Sequence, residues 1–260
     1  MKDRSCRLFR YFLIGATALV PVLAASCVRN KGLPQPSTPQ YKDLVRAFYV
    51  GLAGLQTGAD DPAKQNLTRA TQIAPGEPAS WADLAVLALR QQDFDTAFKN
   101  ADQARVLLPD NSRIEELLGQ IESRRGKPAE AIAHLKKAVA SDPGNLKALY
   151  ALAEETERQG AGNSDADAGK LFAQVLAKRP ANVPAQIEVA RLAARTGDAN
   201  TLRNTLGRLA TESASWPEEA KQQITALEQA AASPNVRAAA VRAVFLRNTL
   251  VRVPQYRQAL

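Results

Sequence analysis

The stretch LLGQIESRRGKPAEAIAHLKKAVASDP, residues 117–143, decides the fold. Leu118 and Gly119 lie in its first half, where a small side chain lets two helices approach closely. Gly126 falls where a first helix must end, as a left-handed helix cap requires. Ala131, Leu135 and Ala138 then recur at helical spacing, and Pro143 closes the segment. The stretch therefore reads as two helices joined by a glycine turn.

The same marks return on both sides. Pro75, Pro109, Pro143 and Pro180 are separated by 34, 34 and 37 residues, and each follows apolar residues at helical spacing. Superposing the segments aligns Gly51, Ala85, Gly119 and Ala153 in the first half of each unit. Leu84, Leu118, Leu152 and Val189 fill one core position. In the second half Ala63, Ala97, Ala131 and Ala168 align, as do Ala70, Ala104, Ala138 and Val175. Gly58, Gly126, Gly160 and Gly197 mark the turns. A hairpin of two helices has one face it cannot bury alone, so such units must stack.

Composition agrees with an all-α chain. Only 5% of the residues are aromatic, and alanine abounds, which favours close-packed helices over sheets of bulky side chains. One His and two Cys leave neither a zinc site nor a Ser/His/Asp or Cys/His set, so no catalytic residue, metal or cofactor is expected. The net charge of +8 comes from Lys2, Arg4, Arg7 and Arg10 at one end and Arg237, Arg242, Arg247, Arg252 and Arg257 at the other. The interval between is balanced. A groove for nucleic acid would need its cationic surplus there, so no nucleic-acid partner is expected, and no small-molecule substrate either.

This pattern resembles the tetratricopeptide repeat (TPR) family. The second unit carries Trp81, Leu84-Ala85, Ala97, Ala104 and Pro109; the third carries Leu118-Gly119, Gly126, Ala131, Leu135, Ala138 and Pro143. Four units run from about Leu44 to Pro180. A fifth, degenerate one holds Val189-Ala190, Gly197, Leu202, Leu206 and Leu209. The resemblance implies a right-handed α-solenoid of about five hairpins over residues 43–214, with a groove lined by the first helix of each unit. Residues 215–260 are expected to form capping helices, one opened by Pro217-Glu218-Glu219 and one by Pro234. The three extra residues of the fourth unit are expected in a lengthened turn, Gly160–Gly169.

The same resemblance implies a protein or peptide partner, bound in extended or helical form. Phe48, Tyr49, Leu52, Val86 and Leu89 are expected to make an apolar end of the groove, partly packed under residues 28–42. Arg113, Glu116, Lys147, Tyr150, Glu154 and Arg191 should face the groove further along. Gln56, Arg90, Arg124, Arg158 and Arg195 share one position near the end of each first helix; the arginines could read acidic groups on a ligand, or simply complement the helix dipole. The pairs Glu115-Glu116 and Glu154-Glu155 read as solubilising, and His134 as solvated. The family's clamp for chaperone tails is not carried over, because its positions read Phe48, Leu52, Asp83, Arg113 and Leu117.

The first 26 residues read as a signal peptide, basic over Met1–Arg10 and uncharged over Tyr11–Ala25, shorter than the about 20 apolar residues of a membrane-spanning helix. Ala25 and Ser26 before Cys27 resemble the lipobox of bacterial lipoproteins, which implies a lipid on Cys27. Ordinary cleavage near Ala24–Ser26, or an uncleaved anchor, are the alternatives. Pro34, Pro36 and Pro39 make residues 27–42 an extended spacer. The expectation is a non-enzymatic scaffold, exported to the periplasm and lipid-anchored to the outer membrane. The rival keeps the fold but makes it an accessory docking module of an envelope enzyme or secretion complex, and the C-terminal residues faintly resemble proteins that continue into an FG-GAP propeller.

Overall fold

A computed structural model describes residues 33–160, 162–253 and 256. The signal peptide and Cys27 lie outside the described residues. The described residues form one compact unit.

Twelve α-helices occur among the described residues: α1 (Pro39–Thr57), α2 (Asp60–Ile73), α3 (Pro78–Arg90), α4 (Phe94–Leu107), α5 (Ser112–Arg124), α6 (Pro128–Ser141), α7 (Leu146–Gln159), α8 (Ser164–Lys178), α9 (Val183–Thr196), α10 (Ala199–Glu212), α11 (Glu218–Ala231) and α12 (Ala238–Leu250). No strand interrupts them. From α1 to α8 each helix packs most heavily on its hairpin partner, α9 packs equally on α8 and α10, and the first helices α1, α3, α5 and α7 also touch one another in series. The result is an α-solenoid of five hairpins followed by two further helices.

Local chemistry sets each boundary. Asn111, Asn145 and Asn182 accept backbone N–H bonds at the starts of α5, α7 and α9, and Asp93 and Asp198 do the same for α4 and α10. Gly58, Gly126, Gly160 and Gly197 take positive φ where first helices end. In the second unit Gln92 holds that place at φ 62°. The extra residues of the fourth unit do not form a long loop. Asp165, Asp167 and Gly169 are already helical, because the insertion starts α8 early with its acidic residues against the positive end of the helix.

The small-residue positions lie in the hairpin cores. Ala63, Ala97, Ala131, Ala168, Ala70, Ala104 and Ala138 are fully buried. A Cβ on Gly51 would stand 2.7 Å from Leu67 Cγ, and one on Gly119 2.6 Å from Leu135 Cγ. Where the first helix has Ala85, the opposite position is Ala101 instead of leucine, so the extra methyl on one helix is offset by a smaller side chain on the other. Units are also tied by hydrogen bonds to their closing prolines. Trp81 Nε1 donates to the Pro75 carbonyl at 2.9 Å, and Gln186 Nε2 to the Pro180 carbonyl at 2.7 Å.

The C-terminal helices do more than cap the end. Helix α12 packs on both α11 and α9. Every residue of α9 from Pro184 to Ala194 is consequently buried, and Ala239, Ala243, Leu246 and Leu250 join its core.

Candidate functional site

First-helix residues meet along the groove in a cleft of ≈ 1090 Å³, bordered by Val86, Leu89, Arg90, Arg124, Lys147, Tyr150, Glu154 and Arg158. A second cleft of ≈ 740 Å³ adjoins it and shares Val86, Gln120, Lys147 and Tyr150 with the first. Asp83, Arg113, Glu116, Leu117 and Arg179 line this one. The structure thus gathers Val86, Arg90, Arg124, Tyr150 and Arg158 into one depression.

The apolar end is divided. Tyr49 is 63% and Val86 39% exposed. Phe48 and Leu52 are half-buried. Phe48 sits edge-to-face on Tyr49, with ring centres 5.4 Å apart, and packs with Leu33 against Leu44 and Ala47.

The arginine row is mostly engaged within the solenoid. Arg90 donates to the Leu55 carbonyl at 2.7 Å and pairs with Asp60, both in the preceding unit. Arg158 reaches Ser123 Oγ of the preceding unit and Glu155 of its own, each at 2.8 Å. Arg195 pairs with Glu157 at 2.6 Å and Asp165 at 3.1 Å. Arg124 is exposed and has no partner among the described residues. Its neighbour Arg125 makes the backward tie, to Asp95 at 3.0 Å, while stacking on Phe98. Phe94 stands where the preceding unit has Asp60, so Arg124 finds no carboxylate there.

The fifth-unit end is covered, which corrects the expectation that Arg191 lines an open groove. Arg191 is 8% exposed, bound by Glu157 at 2.5 Å and Glu188 at 2.6 Å. Burial alone would make the guanidinium easier to deprotonate; the two carboxylates outweigh it and hold it firmly charged. From α12, Arg247 reaches the other oxygen of Glu188 at 3.0 Å. Tyr256 is buried beside it, within electrostatic reach of Glu154 and Glu188. Burial pushes the Tyr150 hydroxyl up, and the charges of Glu188 and Glu154 add to this.

Three further expectations are revised. Glu115 and Glu155 are buried rather than solubilising. His134 is not solvated, because its Nδ1 lies 2.6 Å from Glu115 Oε2. Among the carboxylates that remain in the cleft, Asp83 has no ion pair, and burial raises it to about 6. Glu154 is also raised, by burial and by Glu188. Glu116 accepts from Gln120 and Asn145, each at 2.9 Å. No apolar pattern signals the covered end, because α9 buries Gln186, Glu188 and Arg191 along with its apolar residues, and the ion-pair partners lie on α7 and α12.

Among the described residues no group of His, Cys, Asp and Glu could hold a metal ion, and no helix is long and apolar enough to cross a membrane.

Residues 82–145 and 116–166 match the tetratricopeptide repeat family profile. Over that stretch the chain is similar to tetratricopeptide repeats. No curated protein matches it in sequence. Proteins of known structure share the fold. A Pseudomonas aeruginosa PilF structure superposes with TM-score 0.65 at 18% identity, covering 85% of this chain and 98% of that one. PilW, described as a widely conserved type IV pilus biogenesis factor, gives 0.61 at 20% identity, covering 83% and 97%. YrrB, a TPR protein with an unusual peptide-binding site, gives 0.52 at 14%, covering 64% and 85%.

Proposed function

We propose that this TPR chain is a non-catalytic scaffold whose groove holds an extended or helical segment of a protein partner during assembly in the bacterial cell envelope. The observation that carries the reading is the cleft over units two to four. It combines an exposed apolar edge at Val86 with free polar and cationic groups, and it is the length of groove that α12 leaves uncovered. Recognition modes of this kind use apolar anchors for affinity and charge for register. The fold shared with PilF and PilW supports an assembly role. The basic, then apolar, amino terminus ending at Ala25-Ser26-Cys27 supports export and a lipid on Cys27.

Site-specific photo-crosslinking in cells tests the groove. A photoreactive residue at Val86 is expected to give a discrete protein adduct, whereas one at the more exposed Val106 on second helix α4 gives none. Equal labelling from both positions would count against the groove. For the anchor, Cys27→Ala is expected to move the protein from membranes to the soluble periplasmic fraction; retention in membranes would refute the lipid attachment.

One feature favours the second reading, an accessory docking module of a larger envelope complex. Val241 is 59% and Phe245 50% exposed on the outer side of α12, one turn apart and unpartnered. Adducts from Val241 in place of Val86 would favour it.

A further inference from the structure

The uncovered groove is not evenly charged. Arg113 and Lys147 occupy the same position of consecutive units, 34 residues apart, and both border the second cleft. Each is exposed, and neither has a partner among the described residues. Arg124 borders the first cleft in the same unpaired state. The arginines that the repeat pattern singles out behave differently, since Arg90 and Arg158 are engaged by Asp60 and by Glu155 and Ser123.

Among the described residues, no carboxylate in the depression forms an ion pair with these cations. Glu155 is consumed by Arg158 and Ser123. Glu116 is directed toward Asn145 and Gln120. Asp83 is half-buried, and Glu154, though exposed, lies within electrostatic reach of Arg158 and Arg247. A ligand therefore meets an apolar floor at Val86, Leu117 and Tyr150 with unpaired cations at successive steps along one edge.

We infer that the groove takes an extended protein segment bearing acidic side chains, with Arg113 and Lys147 each receiving a carboxylate at successive repeat steps and Arg124 receiving a further one. This rests on the groove reading and deepens it by naming the chemistry of the partner. It differs from capture of a chain terminus, because the two cations belong to two different repeats and so read internal side chains. Guanidinium and ammonium groups left free in a partly water-excluded cleft gain charge-assisted hydrogen bonds when a carboxylate arrives, without breaking an existing pair.

The test uses the purified full chain and two fluorescein-labelled dodecapeptides blocked at both ends, one interspersing glutamate with leucine and serine, the other carrying lysine in place of glutamate. Fluorescence anisotropy is expected to show the acidic peptide binding, more weakly as salt rises. The double variant Arg113→Glu/Lys147→Glu should weaken it by about tenfold or more, while Lys136→Glu/Lys137→Glu on the second helix α6, with the same change in net charge, leaves it unaltered. Both variants should keep their helical circular dichroism, as all four side chains are exposed. Equal or tighter binding of the lysine peptide would overturn the inference and leave the groove standing. Equal loss in the two double variants would also overturn it, reducing the effect to net charge. Binding only when the acidic peptide carries a free carboxyl terminus would replace side-chain reading with end capture and overturn it too. Failure of both peptides while the Val86 crosslink persists would remove the acidic specificity alone; loss of that crosslink would remove the groove reading itself.

Discussion

Gly119 and Leu135 are two halves of one packing unit: a Cβ added to the glycine would stand 2.6 Å from the leucine Cγ, and the leucine is 1% exposed. The neighbouring repeat solves the same crossing with Ala85 and Ala101, both fully buried. The two sites therefore offer a natural exchange of volume. Gly119→Ala is expected to cost about 1–3 kcal/mol by overpacking, and Leu135→Ala about 2–5 kcal/mol by leaving a cavity. The double variant recreates the alanine pair and should cost less than the sum of the two. Denaturant unfolding of all four proteins measures the coupling, and strict additivity would show that the residues do not share a site.

Gln92 takes a left-handed backbone at φ 62°, where the other four units have glycine. A side chain in that region strains the backbone by about 1 kcal/mol. Gln92→Gly is accordingly expected to stabilise the protein by about that amount in thermal or chemical unfolding. Gly126→Gln, the reverse change one unit later, should destabilise it comparably. A destabilising Gln92→Gly would mean that the glutamine side chain contributes more than its backbone costs.

Arg191, Glu157, Glu188 and Arg247 link the fourth unit, the fifth unit and α12. Removing Arg191 strips the buried Glu188 and the half-buried Glu157 of a shared partner, so Arg191→Met is expected to lower stability by about 3 kcal/mol. Arg247 is 36% exposed, and Glu188 keeps Arg191 when it is lost. Arg247→Ala should therefore cost only about 1 kcal/mol. Its distinguishing sign is local: amide hydrogen exchange should quicken in α12 ahead of α5 and α7. Uniform change along the solenoid would contradict the fastening of α12 through this contact.

Asp83 is raised to about 6 by burial against an ordinary value of 3.8. A carboxyl that binds its proton more tightly when folded costs stability as that proton is lost. Its unfavourable contribution is absent near pH 4, grows as pH rises toward 6, and is fully present above. Arg113, Glu116 and Lys147 border the same cleft. Asp83→Asn is expected to be more stable than the native protein at pH 7.5 by about 1 kcal/mol, after allowance for partial exposure, with the difference vanishing toward pH 4. A difference that grows as pH falls would reverse the sign and refute the desolvation.

The hairpins, their turns and most of their cores were legible because each repeats a local requirement. Proline, glycine and small residues recur at fixed spacing, and stacking forces them into equivalent environments. The row of arginines was equally legible as a pattern, but its role was not. Arg90, Arg158 and Arg195 turn back to carboxylates and carbonyls that only the stacking brings near, whereas Arg124 is released because Phe94 replaces the acid and Arg125 makes the tie. The caps at Asn111, Asn145 and Asn182 went unread, although each directly precedes its helix.

By itself the sequence determined an all-helical array of about five two-helix units with their seams at Gly58, Gly126, Gly160 and Gly197, since spacing and backbone freedom are properties of the local chain. Only the tertiary structure decided that α12 folds onto α9, that Glu188 joins Arg191 to Arg247, and that Arg113, Arg124 and Lys147 are the cations left free. Those outcomes depend on which charges meet across many residues of separation, and a charge is neutralised or exposed by neighbours that its own stretch of sequence does not contain.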